Sequence, residues 1–485
     1  MSNISSTLTE LSPKQRAVLE MRLKKRRAAA SQPRIVARKR DGNAVPMSFA
    51  QQRLWFIDQL QPGSVVYNIP LTVRFRGRLD MPALEKTLTE IVRRHESLRT
   101  TFAEVDGDPV QVIAPPSPQS IAVIDLGALS HDRLQETARR EIQEEASRPF
   151  DLAKGPLIRA SLLRLSDQEH VILFTMHHII SDGWSIGVLV REVQALYESF
   201  VANKPSPLAE LPIQYADYAL WQKEWMRGER LEGQLSYWKR RLADAPPALE
   251  LPFDRPRPAE QTFAGAIYGF NLSNALTDAL KDLCRQEGAT IFMALLAAFQ
   301  TMLFHYTEQD NIAVSTGIAN RNRPEIENLI GFFVNTLILN VDFSDNPTFR
   351  ELLKQAREVT LDAYAHQDLP FELVVESLHP DRQLSHTPLF QVMFVLQNTP
   401  KSDLKLPELG WRFMGPEHFT AKFDLTLFMT DRPGGLSGAL EYNTDLFNQS
   451  TVARMAAYFQ ALLEAITREP DERVGNISVS ISEGG

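Results

Sequence analysis

Residues 170–176 read His-Val-Ile-Leu-Phe-Thr-Met, almost continuously apolar and without alternation. Such a run fits a strand covered on both faces, because a half-exposed strand alternates polar and apolar positions. From Trp184 the spacing turns helical, with Ile186, Leu189, Val190, Val193, Leu196, Tyr197 and Phe200 on one face. Between the two lies Met176-His177-His178-Ile179-Ile180-Ser181-Asp182-Gly183-Trp184-Ser185. The chain thus places two histidines and an aspartate where a buried strand gives way to a helix. From such a junction, side chains leave a rigid sheet and enter a cleft.

A chain of 485 residues exceeds what one core ordinarily holds, so two lobes are expected. Leu71, Val73 and Phe75 alternate with Thr72, Arg74 and Arg76, which predicts a half-buried strand; Leu84, Leu88, Ile91 and Val92 predict the helix after it. In the second half an apolar helical pattern from Leu280 to Phe304 precedes a strand-like run at residues 311–319, repeating the style of the first. The simplest architecture is α+β, two lobes with a cleft between them. Residues 1–45 are expected outside them: Ser12-Pro13-Lys14-Gln15 has capping-box form, Val18, Leu19 and Leu23 predict a short helix to about Arg27, and a linker follows. The compact body then starts near Pro46, with lobes at 46–215 and 216–485, and the proline-rich stretch Pro246–Glu260 is expected to cross the surface.

Eleven basic against three acidic residues put the first 41 residues at +8, so the remainder carries −16 within a chain of net −8. An acidic body argues against nucleic acid as the main partner. One cysteine, Cys284, excludes a disulfide framework, and no apolar run approaches the roughly 18 residues of a membrane span. A soluble cytoplasmic protein, with neither membrane nor nucleic acid as partner, is the expectation.

Three chemistries fit the histidine pair taken alone. A metal site is disfavoured, since neighbouring strand residues face opposite ways and HExxH spacing is absent. A satisfied turn is the commoner fate of such a short pattern. The third reading is a cleft-facing His178, with Asp182 bracing the loop through a buried arginine. No nucleophile elbow is read in the chain, and Cys284 lies in an apparent helix, so direct transfer without a covalent acyl-enzyme is expected.

Seven motifs in order then carry a resemblance: Ser48–Ile57 SFAQQRLWFI, Arg94–Phe102 RHESLRTTF, MHHIISDGWS, Tyr215–Gln222 YADYALWQ, Ile330–Thr336 IGFFVNT, His366–Glu372 HQDLPFE and Thr387–Phe394 TPLFQVMF. From about Pro46 onward the chain resembles a condensation domain of a nonribosomal peptide synthetase. The resemblance implies two chloramphenicol-acetyltransferase-like lobes in a V-shaped pseudo-dimer with a central tunnel. Amide formation between two thioester-linked substrates would take place there. It implies no cofactor held by the domain itself: phosphopantetheine of an aminoacyl carrier protein delivers the acceptor, and coenzyme A or an upstream carrier the donor. An adjacent adenylation domain is a further expected partner.

By the same resemblance His178 positions the acceptor amine, His177 belongs to the scaffold, and Asp182 is braced by Arg321, with Arg99 second. Gly183 admits the substrate and offers an N–H to the oxyanion. Trp184, Ser185, Trp221 and Asn335 are tunnel candidates, although Trp221 also reads as core and Asn335 as a group satisfying backbone. Ser181 and the HESLRT form resemble domains joining an L-donor to an L-acceptor. Asn340 departs from the family's frequent arginine, which puts donor-side contacts in question. A chain opening at Met1 tips the expectation towards a starter role using acyl-CoA, with elongation as the alternative. A non-catalytic platform of the same fold is the lesser reading, because the HHxxxDG residues are intact.

Overall fold

The computed structural model describes residues 33–40, 42, 44–243, 248–378, 390–397, 409–414, 419–432 and 434–479. The expected helix between Ser12 and Arg27 lies outside these residues. The apolar run at 170–176 forms the strand Glu169–His177, and Val171, Ile172, Leu173 and Phe174 are all buried. It is central in a five-stranded sheet ordered Gly410–Met414, Asn68–Arg76, Glu169–His177, Ile158–Ser166, Ala122–Asp125. The antiparallel register pairs Asn68 with His177 and Val73 with Ile172, so the strand end carrying the histidines is fixed along its whole length. The helix Gly183–Val201 packs on this sheet through Val188, Leu189, Leu196 and Phe200.

A second sheet of seven strands, with Asn335–Asp342 at one edge and Phe419–Thr420 at the other, forms the other lobe. Its core is built on the helix Ile291–Thr307, whose residues from Met293 to Leu303 are all buried. That helix and Asn274–Glu287 bend by 105° at their junction, and no single described helix is long and apolar enough to cross a membrane.

Segments shared between the lobes surround the expected boundary at residue 215. Tyr215 opens the helix Tyr215–Trp225, so a boundary there falls at a helix start. Tyr215 and Tyr218 pack with Ile35, Ile213, Ile326, Leu329 and Phe333 in a small core joining both halves. The strand Gly410–Met414 crosses from the second lobe to pair with Asn68–Arg76 of the first, and Ile330 and Phe332 enter the first lobe's core. Such exchanges link residues hundreds of positions apart and leave no local signal.

The folded body also starts earlier than Pro46. Ile35 is buried, the Pro33 carbonyl accepts from Trp221 Nε1 (3.0 Å), and Arg38 pairs with Glu96 (2.9 Å). One isoleucine among basic residues has no periodicity, so the stretch reads as linker although its partners lie far along the chain. Ile35→Ala is expected to cost about 2–4 kcal/mol, as core isoleucine truncations do. Denaturant unfolding measures it, and an unchanged midpoint would show that residues 33–40 stand outside the cooperative body.

Candidate active site

At the end of the histidine strand the backbone turns through a short 3-10 segment, His178–Ile180, before the helix begins at Gly183. The two imidazoles part there. His177 is buried against the edge of Phe150, ring centres 6.1 Å apart, and its Nδ1 accepts from the Ile179 N–H (3.2 Å). Burial, with a smaller push from the charge of Lys422, lowers its pKa to about 3. His177 is therefore a neutral scaffold group.

His178 keeps part of its surface open. Its backbone N–H donates to the Tyr67 carbonyl (2.8 Å), and Phe332 stands edge-on with ring centres 5.0 Å apart. Nδ1 lies 2.9 Å from the Ser181 carbonyl oxygen. A carbonyl only accepts, so Nδ1 carries the proton and Nε2 is left with a free lone pair. Burial holds the imidazole well below its ordinary pKa, with further lowering from Lys422 and His177. The site thus presents a neutral histidine with an outward acceptor, suited to holding the N–H of an amine.

Tyr67, His178 and Lys422 share a telling combination. Each retains accessible surface, yet desolvation is the largest influence on its acidity. The three half-buried groups are neighbours, and charge in the space between them is screened less than in bulk water.

Asp182 does not face that space. It is fully buried and caps the helix, Oδ1 accepting from the Ser185 N–H (2.8 Å) and Arg321 Nη2 (3.2 Å), while Oδ2 accepts from the Phe333 N–H (2.9 Å). Arg321 also donates to the carbonyls of Ile326 (2.6 Å) and Leu329 (2.7 Å) and to Ser185 Oγ (2.7 Å). Burial lowers the Arg321 pKa while Asp182 opposes that shift. Arg99 is elsewhere, donating to the Ala114 carbonyl and standing 3.8 Å from Glu96.

Ser185, expected at the tunnel, belongs to this brace: besides receiving Arg321, its Oγ donates to the Gly331 carbonyl (2.9 Å) and accepts from the Gly331 N–H (3.1 Å). Contrary to the expectation of no elbow motif, Gly183-Trp184-Ser185-Ile186-Gly187 does have G-x-S-x-G spacing. A buried hydroxyl so fully engaged is no nucleophile. Trp184 donates to the Glu327 carbonyl (2.8 Å), on the same loop as the brace. Gly183 is exposed at the helix start, and a Cβ there would meet nothing within 4 Å.

Two further candidates are tied to backbone. Trp221 stacks on Trp225 at 5.5 Å beneath the Arg323 guanidinium. Asn335 spans the chain, Nδ2 donating to the carbonyls of Gln367 (2.9 Å) and Leu369 (2.7 Å) and Oδ1 accepting from the N–H groups of Thr336 and Phe371 (3.0 Å each). At Asn340, on the strand Asn335–Asp342, the carbonyl accepts from Arg241 Nη2 (2.5 Å), so a guanidinium reaches this position from the end of the helix Gly228–Arg241. Among the described residues no three His, Cys, Asp or Glu side chains converge as metal ligands. Tyr67 and Lys422 lie outside every motif read in the sequence, and Phe332, within IGFFVNT, reads there only as an apolar core residue. Gly331 is also forced, because a Cβ there would sit 2.0 Å from Tyr215 Cδ2.

Asp182→Ala strands the buried Arg321 charge and should cost about 3–5 kcal/mol. Melting temperature is expected to fall with activity; full stability with lost turnover would make Asp182 a direct participant. His177 gives a pH prediction. Its pKa is about 3 folded against 6.5 unperturbed, so between those values the unfolded chain binds the extra proton and stability falls on acidification. His177→Gln should flatten that fall between pH 6.5 and the acid limit, as followed by denaturant midpoints, and an equally steep fall in the variant would refute it.

Comparison with known proteins agrees with this geometry. The family model described as Condensation domain matches residues 42–483. A linear gramicidin synthase polypeptide of Brevibacillus parabrevis is 50% identical over 438 residues, covering 89% of this chain but 8% of that protein. The chain thus spans under a tenth of the length of that relative. The X-domain from teicoplanin biosynthesis matches with a TM-score of 0.85 and 28% identity, over 92% of this chain and 100% of that one. The starter condensation domain of rhizomide synthetase RzmA, solved as a mutant with C8-CoA, matches with a TM-score of 0.76 and 19% identity, over 90% and 98%, a likeness of fold. With the family match over nearly the whole chain, and with His177, His178, Asp182 and Gly183 at the strand–helix junction of its first lobe, the chain belongs to the condensation-domain family.

Proposed function

We propose that this domain joins the α-amine of a carrier-bound aminoacyl thioester to a donor acyl thioester, with His178 holding the amine. The observation that carries this reading is the His178 Nδ1 contact to the Ser181 carbonyl, which leaves Nε2 as an acceptor on a half-buried ring beside Tyr67 and Phe332. A histidine kept neutral by burial receives an N–H well and retains a proton poorly. Positioning is accordingly the larger contribution, worth up to about 7–11 kcal/mol, against about 10²–10⁴-fold for proton removal. Asp182 and Arg321 act through the loop they fix.

Both substrates arrive on phosphopantetheine or coenzyme A, with an adenylation domain loading the acceptor carrier. For the donor we favour elongation, an aminoacyl or peptidyl group on an upstream carrier. The 50% identity to a gramicidin synthase supports that more strongly than a 19% likeness to a starter domain supports acyl-CoA. A recruitment platform is disfavoured by the retained acceptor geometry of His178.

A single-turnover assay with an aminoacylated carrier, offered an aminoacyl-carrier donor and separately an acyl-CoA series, decides both points by product mass. Amide from the carrier donor alone is expected, whereas amide from acyl-CoA would assign a starter. His178→Ala should retain its fold and lose at least about 10²-fold in rate. Undiminished turnover would overturn the assignment.

A further inference from the structure

The second lobe delivers a lysine to the histidine wall of the first. Lys422 lies just past the edge strand Phe419–Thr420, with its Nζ 4.8 Å from the ring centre of Tyr67. Tyr67 is the residue whose carbonyl fixes the His178 backbone, and its ring centre is 6.5 Å from the imidazole of His178. The lysine backbone is pinned on both sides. The Ala421 N–H donates to the Phe263 carbonyl (3.0 Å), and the Lys422 carbonyl accepts from Gln261 Nε2 (3.1 Å). Gly265 permits that approach, since a Cβ there would meet Ala421 N at 2.5 Å. An ammonium on so rigid a support, half-buried beside the Tyr67 ring, is preorganised to meet developing negative charge without reorganisation.

We propose that Lys422 stabilises the oxyanion of amide formation, placing positive charge beside the reacting thioester while His178 holds the attacking amine. The proposal rests on the reading of His178 given above. In the step, the amine lone pair forms the C–N bond and the carbonyl π electrons move to oxygen, which the Lys422 ammonium faces. Collapse restores the carbonyl and breaks the C–S bond. The proton lost by nitrogen passes to the phosphopantetheine thiolate, giving amide and free thiol.

The charged neighbours set the pH range. Burial, opposed by Glu441 on the strand Gly435–Asn443 and aided slightly by Arg53, lowers the Lys422 pKa to about 8. Burial raises Glu441 to about 7, opposed by Lys422. Arg53 is itself paired with Glu372 (3.3 Å), and His177 and His178 are neutral above pH 6.5. The useful cation is therefore present below about pH 8 and lost as pH rises through that value.

The test is the single-turnover rate against pH, from about 6.5 to about 9.5, with aminoacyl carriers on both sides and the His178→Ala background subtracted. Unsubstituted protein should slow above about pH 8. Lys422→Met should lose about 10²-fold at pH 7 with acceptor KM within about twofold, and its basic limb should vanish. Lys422→Arg should recover much of the rate and carry the limb beyond about pH 9. Glu441→Gln should move it to lower pH. A Lys422→Met rate within about threefold of the unsubstituted protein would overturn the proposal. So would a Lys422→Arg variant as slow as Lys422→Met, with melting temperature lowered in both. Absence of amide from the unsubstituted protein would instead refute the reading of the domain as a condensation catalyst, which separates the two failures.

Discussion

The buried pair Asp182–Arg321 is the interaction on which the site depends. One carboxylate caps the helix through Ser185, receives the Phe333 N–H and meets a guanidinium that also holds the carbonyls of Ile326 and Leu329. Few groups could replace it. A neutral residue would leave Arg321 desolvated and unpaired, and a shorter contact set would free the loop that bears Phe332 beside His178. The pair is therefore architectural, although it sits four residues from the imidazole proposed to meet substrate.

Around the brace, steric fit finishes what charge begins. Tyr215, nearly inaccessible, fills the space left by Gly331; its hydroxyl donates to the Phe332 carbonyl (2.5 Å) and shares a hydrogen bond with Ser48 (2.8 Å). Four motifs that are far apart in sequence, around Ser48, Asp182, Tyr215 and Gly331, thus meet in one knot. Their recurrence in order along the chain has a packing reason as well as a chemical one.

The chemistry that results is modest in each part. His178 is held neutral by burial with Nε2 left as an acceptor, and a lysine from the other lobe stands beside the tyrosine that neighbours it. Such an arrangement favours orientation and electrostatic stabilisation over strong acid–base catalysis. That suits the proposed thioester donor, whose leaving group departs readily once the amine is in place.

While the choice of Arg321 over Arg99 as the partner of Asp182 was decided by the fold, the sequence by itself determined the strand–turn–helix carrying the histidines, the α+β class and the two lobes. These follow from local periodicity or from motifs whose residue types leave little choice. What only the tertiary structure decided are the contacts between distant segments. Ile35 buries against Tyr215 and Phe333, which lie far along the chain, Gly410–Met414 crosses between lobes, and Ser185 enters the brace instead of the tunnel. Lys422 and Tyr67 belong with these. An isolated lysine after a strand reads as a solvated charge, and its place beside His178 comes from a lobe-to-lobe approach that no local pattern encodes.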